Sequence, residues 1–378
     1  MVDAVRHRVL STAGAIAAGL LCGATTPSAQ GDPFVVSTVV TGLDTPWDLA
    51  WGPDGEIWFS ERGGRISRLD PATGVRTTAG TISVHQSGEG GLLGIAFHPD
   101  FARSPFVYAV HTYGGFLGAK NKLVRMRWNG TALGPPETLI DGFPGGGIHN
   151  GSRIAVGPDH MLYVTTGDAG DGDVAQDLHS LGGKILRLTL DGRPAPGNPY
   201  DNAVWSYGHR NPQGLVFHPA TGVLYETEHG PSDNDEVNVI RRGGNYGWPN
   251  VHGFCDNDVG GDEKEFCRVN SVVEPLMAWT PTIAITGADF YMSDRIPGWR
   301  GSLLATSLKA ETLWRFTLSA DGTRITAREP LLATRYGRLR DVLVAPNGDV
   351  YVATSNRDGR GSPSRDDDRI IRLSPKSH

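Results

Sequence analysis

Asp48-Leu49-Ala50-Trp51, Gly52-Pro53-Asp54-Gly55, Glu56-Ile57-Trp58-Phe59 is an apolar run, a tight turn and a second apolar run. Asp-Gly between two such runs signals a hairpin, because glycine accepts positive φ without a Cβ clash. Arg65-Ile66-Ser67-Arg68-Leu69 then supplies a third segment. The same order returns along the chain. Gly94–Phe97 leads to His98-Pro99-Asp100 and Val107–Val110. Arg153–Val156 leads to Gly157-Pro158-Asp159, Leu162–Thr165 and Ile185–Leu188. Gly214–Phe217 leads to His218-Pro219 and Val223–Glu226. A degenerate copy has Ala288–Tyr291, Ser302–Ala305 and Leu313–Phe316, and the last has Val342–Ala345, Val350–Ala353 and Ile370–Leu373. Such copies at roughly 45–65 residue intervals predict an all-β fold, a six-bladed β-propeller of four-stranded antiparallel blades. Phe34–Val39 has no blade of its own and is expected to pair into the last blade, closing the ring. A β-sandwich, the competing all-β architecture, shows no such long repeat.

Composition agrees. The 378 residues include 51 Gly and 25 Pro, with only 20% charged, which implies many turns and short elements. The net charge of −6 and the lack of a large basic block argue against a nucleic-acid partner. Residues 1–29 read as a signal peptide: Arg6 and Arg8, an uncharged apolar run from Leu10 to Cys22, and a cut after Ala29 in Pro27-Ser28-Ala29. That run is too short to span a membrane. Residues 30–378 then form a single domain, periplasmic or secreted. Cleavage removes Cys22 and leaves Cys255 and Cys267, whose short loop suggests a disulfide in an exported protein. Their spacing fits neither zinc nor thioredoxin motifs.

Propeller loops at one end of the channel converge, so distant residues can build one site. His149 lies in Gly145-Gly146-Gly147-Ile148-His149-Asn150-Gly151, and Asp168 ends Thr165-Thr166-Gly167-Asp168. An Asp there could fix the imidazole tautomer and leave the other nitrogen as a base, or it could cap its own turn. Arg210 and Asn211 precede a blade strand and offer a fork of donors. Arg338 and Arg340, two apart in an extended segment, aim at one spot, and with Lys309 they want an anionic partner or internal acids. Glu228–Glu236 is dense in oxygen ligands suited to calcium, with Gly230 and Pro231 as carbonyl donors, although it is not an EF-hand.

These stretches carry a resemblance. From about Gly42 to Leu373 the chain resembles the soluble quinoprotein sugar dehydrogenases, in particular the shorter aldose sugar dehydrogenases. The strings are Gly90-Gly91-Leu92-Leu93-Gly94, Gln176-Asp177 through Leu188, Gly208–Gly214, Gly243-Gly244-Asn245-Tyr246-Gly247-Trp248-Pro249 and Arg338-Leu339-Arg340-Asp341, in shared order. The resemblance implies pyrroloquinoline quinone (PQQ) and Ca2+ as cofactors. It implies an aldose sugar as substrate, oxidised at C1 to a lactone, and an electron acceptor other than oxygen (quinone, cytochrome or dye). A monomer or homodimer is expected. His149 matches the general base and Asp168 the carboxylate that orients it. Arg210 and Asn211 match quinone-binding residues, with Arg210 beside the carbonyl that is reduced. Lys309, Arg338 and Arg340 match residues that bind the cofactor's carboxylates. The carbonyls of Gly230 and Pro231 match calcium ligands, and Glu236 and Tyr246 match a second, structural calcium site. Glu89 stands at a cofactor contact where the family usually has Gln; an acid there repels a tricarboxylate unless protonated or calcium-bound. Ile148 stands where the longer glucose dehydrogenases have Asp, and the loops after Asp168 are short, which together imply a more open sugar pocket with broad substrate range. No Gly-x-Gly-x-x-Gly opens a strand–helix unit, so nicotinamide is not expected. A calcium-dependent lactonase and a non-catalytic binding propeller are the alternatives; the basic cluster suits neither.

Overall fold

The computed structural model describes residues 32–376 apart from 116–117 and 258–259. The expected signal peptide and Cys22 lie outside the described residues. The chain forms six four-stranded antiparallel sheets, each a meander in sequence order except the last. Blade 1 comprises Pro46–Trp51, Ile57–Glu61, Arg65–Leu69 and Arg76–Thr81; the first strands of blades 2 to 6 are Leu92–Phe97, Gly151–Val156, Pro212–Phe217, Ile285–Tyr291 and Leu339–Val344. Blade 6 takes its outermost strand from the start of the chain: Phe34–Val40 pairs antiparallel with Ile370–Pro375, with Val36 opposite Leu373. Joining both ends of the chain in one sheet closes the ring and leaves no open gap between first and last blades.

Alternation explains the layering. Residues two apart on a strand share a face, so Trp58 packs toward blade 2 while Ile57 and Phe59 pack toward blade 6, all three fully buried. Each such side chain contributes roughly 1.5–3 kcal/mol on burial. The first strands of neighbouring blades pack side by side around the channel. There the strands are stitched by buried carboxylates. Asp48 accepts from Ile95 N–H at 2.8 Å, Asp341 from Leu49 N–H at 2.7 Å, and Asp289 from Val344 N–H at 2.7 Å, each bond crossing to the next blade. Gly287 is required where it stands, since a Cβ would collide with the Asp341 carboxylate. Arg153 fills the axis: its guanidinium pairs with Asp48, lies 3.1 Å from Asp341, and donates through Nε to the Gln213 carbonyl at 3.0 Å.

Register decides where function sits. The start of each first strand pairs with the end of the second: Gly151 with Thr166, Pro212 with Glu228, Ile285 with Ser307 and Leu339 with Thr354. Loops entering first strands and leaving second strands therefore share one end of the channel. Between the third and fourth strands of blade 4, Cys255 is bonded to Cys267, which lies within the short helix Glu263–Asn270.

Replacing Arg153 by Leu leaves Asp48 and Asp341 buried without their cation. The expected loss is about 3–5 kcal/mol, read as a fall in the urea midpoint; an unchanged midpoint would show that the ring is closed by other contacts.

Candidate active site

All six blades contribute to two cavities that share Glu89, His229, Ala284, Arg338 and Arg360 along their walls. The outer one, about 420 Å3, is lined by Glu89, His149, Arg210, Asn211, Gly230, Pro231, Lys309 and Arg338. The inner one, about 260 Å3, adds Arg340, with Arg62, Trp47 and Gln213. Residues more than two hundred positions apart thus meet because the antiparallel register gathers their loops.

His149 and Asp168 both belong to blade 3, on the loop entering its first strand and the loop leaving its second. Nδ1 of His149 is 2.6 Å from Asp168 Oδ1. The same carboxylate accepts Gly170 N–H at 2.7 Å and the Trp248 indole N–H at 2.9 Å, so it is buried and fully engaged. A proton on Nδ1 satisfies that carboxylate, so in the neutral ring the lone pair falls on Nε2, and His149 lines the outer cavity. His149 itself sits at φ 51°, and its N–H is held by Glu89 Oε2 at 3.0 Å.

Arg210 lies over the Trp248 ring at 5.2 Å and donates from Nη1 to the carbonyls of His229 (3.0 Å) and Gly230 (2.7 Å). Asn211 accepts Gly151 N–H at 3.1 Å and Gln213 Nε2 at 3.0 Å. Arg340 donates to Gln213 Oε1 at 2.9 Å, and Arg338 pairs with Asp358 at 2.8 Å. Lys309 Nζ donates to Thr282 at 3.1 Å. Burial lowers Arg62, Arg210 and Arg340, the last to about 10, yet all remain charged at neutral pH. Burial, with Arg340 and Arg210 close by, holds His229 well below the usual imidazole range and so neutral.

A model of the glucose/sorbosone dehydrogenase family matches residues 43–371. The chain belongs to that family. It is 31% identical to quinoprotein glucose dehydrogenase B of Acinetobacter calcoaceticus, over 90% of this chain and 89% of that protein. It is 30% identical to an aldose sugar dehydrogenase of Escherichia coli, over 89% and 91%. It superposes on the PQQ-bound form of the aldose sugar dehydrogenase of Streptomyces coelicolor with a TM-score of 0.79 and 42% identity, covering 90% of this chain and 98% of that one.

Within this sugar dehydrogenase scaffold, Glu236 and Tyr246 stand apart from the cavity lining. Glu236 is opposite Glu228 across two strands of blade 4, and Asn238 is opposite Glu226. Period-two alternation puts all four side chains on one face, buried. Asn238 Nδ2 bridges Glu226 (3.0 Å) and Glu236 (2.9 Å), while Glu226 Oε1 and Asn238 Oδ1 have no hydrogen-bond partner among the described residues. Burial and mutual repulsion raise Glu226, Glu228 and Glu236 above the ordinary carboxylate range. Tyr246 stacks on His209 at 4.6 Å, and its hydroxyl donates to Val239 O at 2.7 Å and accepts Arg241 N–H at 2.9 Å. Its hydroxyl is therefore committed to its own blade.

Sequence reasoning missed Arg62, His229, Trp248 and Arg360. Arg62 follows the second strand of blade 1, the place that Asp168 and Gly230 approach in blades 3 and 4; register alone could have found it. His229 stood in a segment read only for oxygen ligands. Arg360 lies in the charged stretch Arg357–Arg369, which reads as a solvated loop. Ile148, 40% exposed, forms an apolar rim beside the base.

Proposed function

We propose that this cavity oxidises aldose sugars at C1 to lactones, with pyrroloquinoline quinone and calcium as its cofactors. The observation that carries the reading is the meeting of the His149–Asp168 pair with a wall of cations. The donor set fits a polycarboxylate quinone. Arg62 Nε, Arg210 Nε, Asn211 Nδ2 and Arg340 Nε are buried and have no hydrogen-bond partner among the described residues. Buried donors left unpaired are costly, and an acceptor-rich occupant relieves that cost. Lys309, Arg338 and Arg340 would hold its carboxylates, and Arg210 and Asn211 its quinone oxygens. The carbonyls of Gly230 and Pro231 would take calcium; the Gly230 carbonyl accepts from Arg210 in this structure. Glu236, with Tyr246, would take a second calcium at the blade 4 carboxylates.

When bound, the quinone supplies the carbon that accepts hydride, and calcium supplies Lewis acidity beside it. His149 Nε2 takes the proton of the anomeric hydroxyl as C1 becomes a carbonyl. Asp168 stabilises the imidazolium that results and holds its ring, with Trp248 fixing the carboxylate in turn. Arg210 offers positive charge where negative charge develops. The electrons leave to an acceptor other than oxygen (a quinone, cytochrome or dye). A hydrolytic lactonase has no use for so many cations around its metal. The chain is proposed to work as a monomer or homodimer in the periplasm or outside the cell; no helix of the described residues is long and apolar enough to cross a membrane.

Purified protein should gain dye-linked glucose oxidation when the quinone and calcium are added; no gain with any aldose removes the reading. His149→Ala should lower turnover about 100-fold or more with little change in quinone affinity, and undiminished turnover would take the base role from His149. Arg338→Ala should instead weaken quinone binding about tenfold or more, measured by titration calorimetry; an equal affinity would place the carboxylates elsewhere. Calcium should raise the thermal midpoint of the unaltered chain more than that of Glu236→Gln. Equal shifts would exclude the blade 4 carboxylates as a calcium site.

A further inference from the structure

Glu89 stands on the loop entering blade 2, and its two oxygens reach loops of two other blades. Oε2 accepts the backbone N–H of His149 at 3.0 Å, and Oε1 lies 2.9 Å from Arg360 Nη1. His149 is at φ 51°, a left-handed conformation uncommon for a non-glycine residue, and the bond from Glu89 helps to hold it. Glu89 fixes its backbone from blade 2 while Asp168 fixes its ring from blade 3. The acid therefore has a positioning task that an occupant of the cavity does not share. It also lines both cavities, so its charge faces any anion bound there.

Arg360 belongs to the long loop of blade 6 and lines the same cavities. Its side chain is 59% exposed against 22% for Glu89. An ion pair so open contributes little to folding. The Arg360 charge bears instead on whatever anion occupies the cavity, since both partners line the two cavities. Arg62, Arg210 and Arg340 also feel the Glu89 charge, but Arg210 is spent on backbone carbonyls and Arg340 on Gln213, and Arg338 is paired with Asp358; among the described residues Arg360 is the cation in direct ion-pair contact with Glu89.

We propose that Arg360 is the counter-ion that lets Glu89 hold the backbone of His149 without repelling a polycarboxylate from the cavity. Arg360 is thus a positioning residue that acts through Glu89. An amide at position 89 would still accept the His149 N–H through its carbonyl and would need no counter-ion. This extends the proposed quinone reading and depends on it.

The test is a double-mutant cycle on quinone affinity, by titration calorimetry with calcium present, using the unaltered chain, Arg360→Ala, Glu89→Gln and the double variant. Arg360→Ala should weaken binding about tenfold in the unaltered background and less than about twofold in the Glu89→Gln background. Arg360→Lys should restore most of the loss, since it returns the charge. Thermal midpoints should stay level across the four proteins, which separates a charge effect on the ligand from a structural one. Equal losses in both backgrounds would make Arg360 a direct ligand and overturn the counter-ion role, as would no loss at all. Failure of the unaltered chain to bind the quinone would remove the cofactor reading and this extension together; binding with an additive cycle would remove the extension alone.

Discussion

Arg153 is the point at which four blades meet in the channel. A propeller leaves its first strands facing a central channel, and their backbone donors need partners that the neighbouring blade does not supply as a sheet edge would. The carboxylates of Asp48 and Asp341 supply them, at Ile95 and Leu49. Two acids brought so close in the interior repel, and burial with that repulsion holds Asp48 above the usual carboxylate range even beside a cation. Arg153 offsets the repulsion from blade 3 and also donates to blade 4 through the Gln213 carbonyl. Blades 1, 3, 4 and 6 are thereby joined at one guanidinium. The Gln213 side chain continues the link upward, accepting from Arg340 and donating to Asn211. The floor of the cavity hangs from the plug of the channel.

This arrangement explains why chemistry gathers at one end. Loops entering first strands and leaving second strands are forced together by antiparallel pairing, six times over. No long-range attraction among the side chains is needed. His149 and Asp168 meet because their loops flank two paired strands, with Gly151 opposite Thr166. Gly167 permits the approach, since a Cβ there would strike the His149 carbonyl. The base and its orienting acid are thus placed by backbone geometry first, and by their own hydrogen bond second.

The architecture was legible wherever a strand buries one or both faces. Ile57–Glu61 and Val350–Thr354 are buried throughout and stand out as apolar runs between turn residues. Phe34–Val39 was legible as a strand without a blade, and the strand Phe34–Val40 does complete the last one. The outermost strands were not: Arg76–Thr81 and Ile325–Leu331 are mostly exposed, so nothing in their hydrophobicity marks them. Arg338 and Arg340 could be read together because a strand repeats every two residues, and both line the inner cavity. Glu89 could be read only as a misplaced charge. Its counter-ion comes from a loop hundreds of positions away, and no local pattern connects Glu89 with Arg360.

The charges around the cavity are sorted by blade, and that sorting restricts what can enter and how. Arg62 comes from blade 1, Lys309 from blade 5, and Arg338, Arg340 and Arg360 from blade 6. Blade 4 instead brings Asp235 and the turned-in carbonyls of His229 and Gly230. Arg210 lies at the boundary, its guanidinium on those carbonyls and its backbone N–H on Glu228. An anionic group is drawn toward blades 5, 6 and 1, and a cation toward blade 4. An occupant that carries carboxylates at one edge and coordinates a cation at the other has one favourable orientation in this field, and the reverse sets like charges together at both ends. His149 stands on blade 3, to one side of that axis. An occupant oriented by charge alone therefore presents the same edge to the base each time it binds, before any close contact refines the fit.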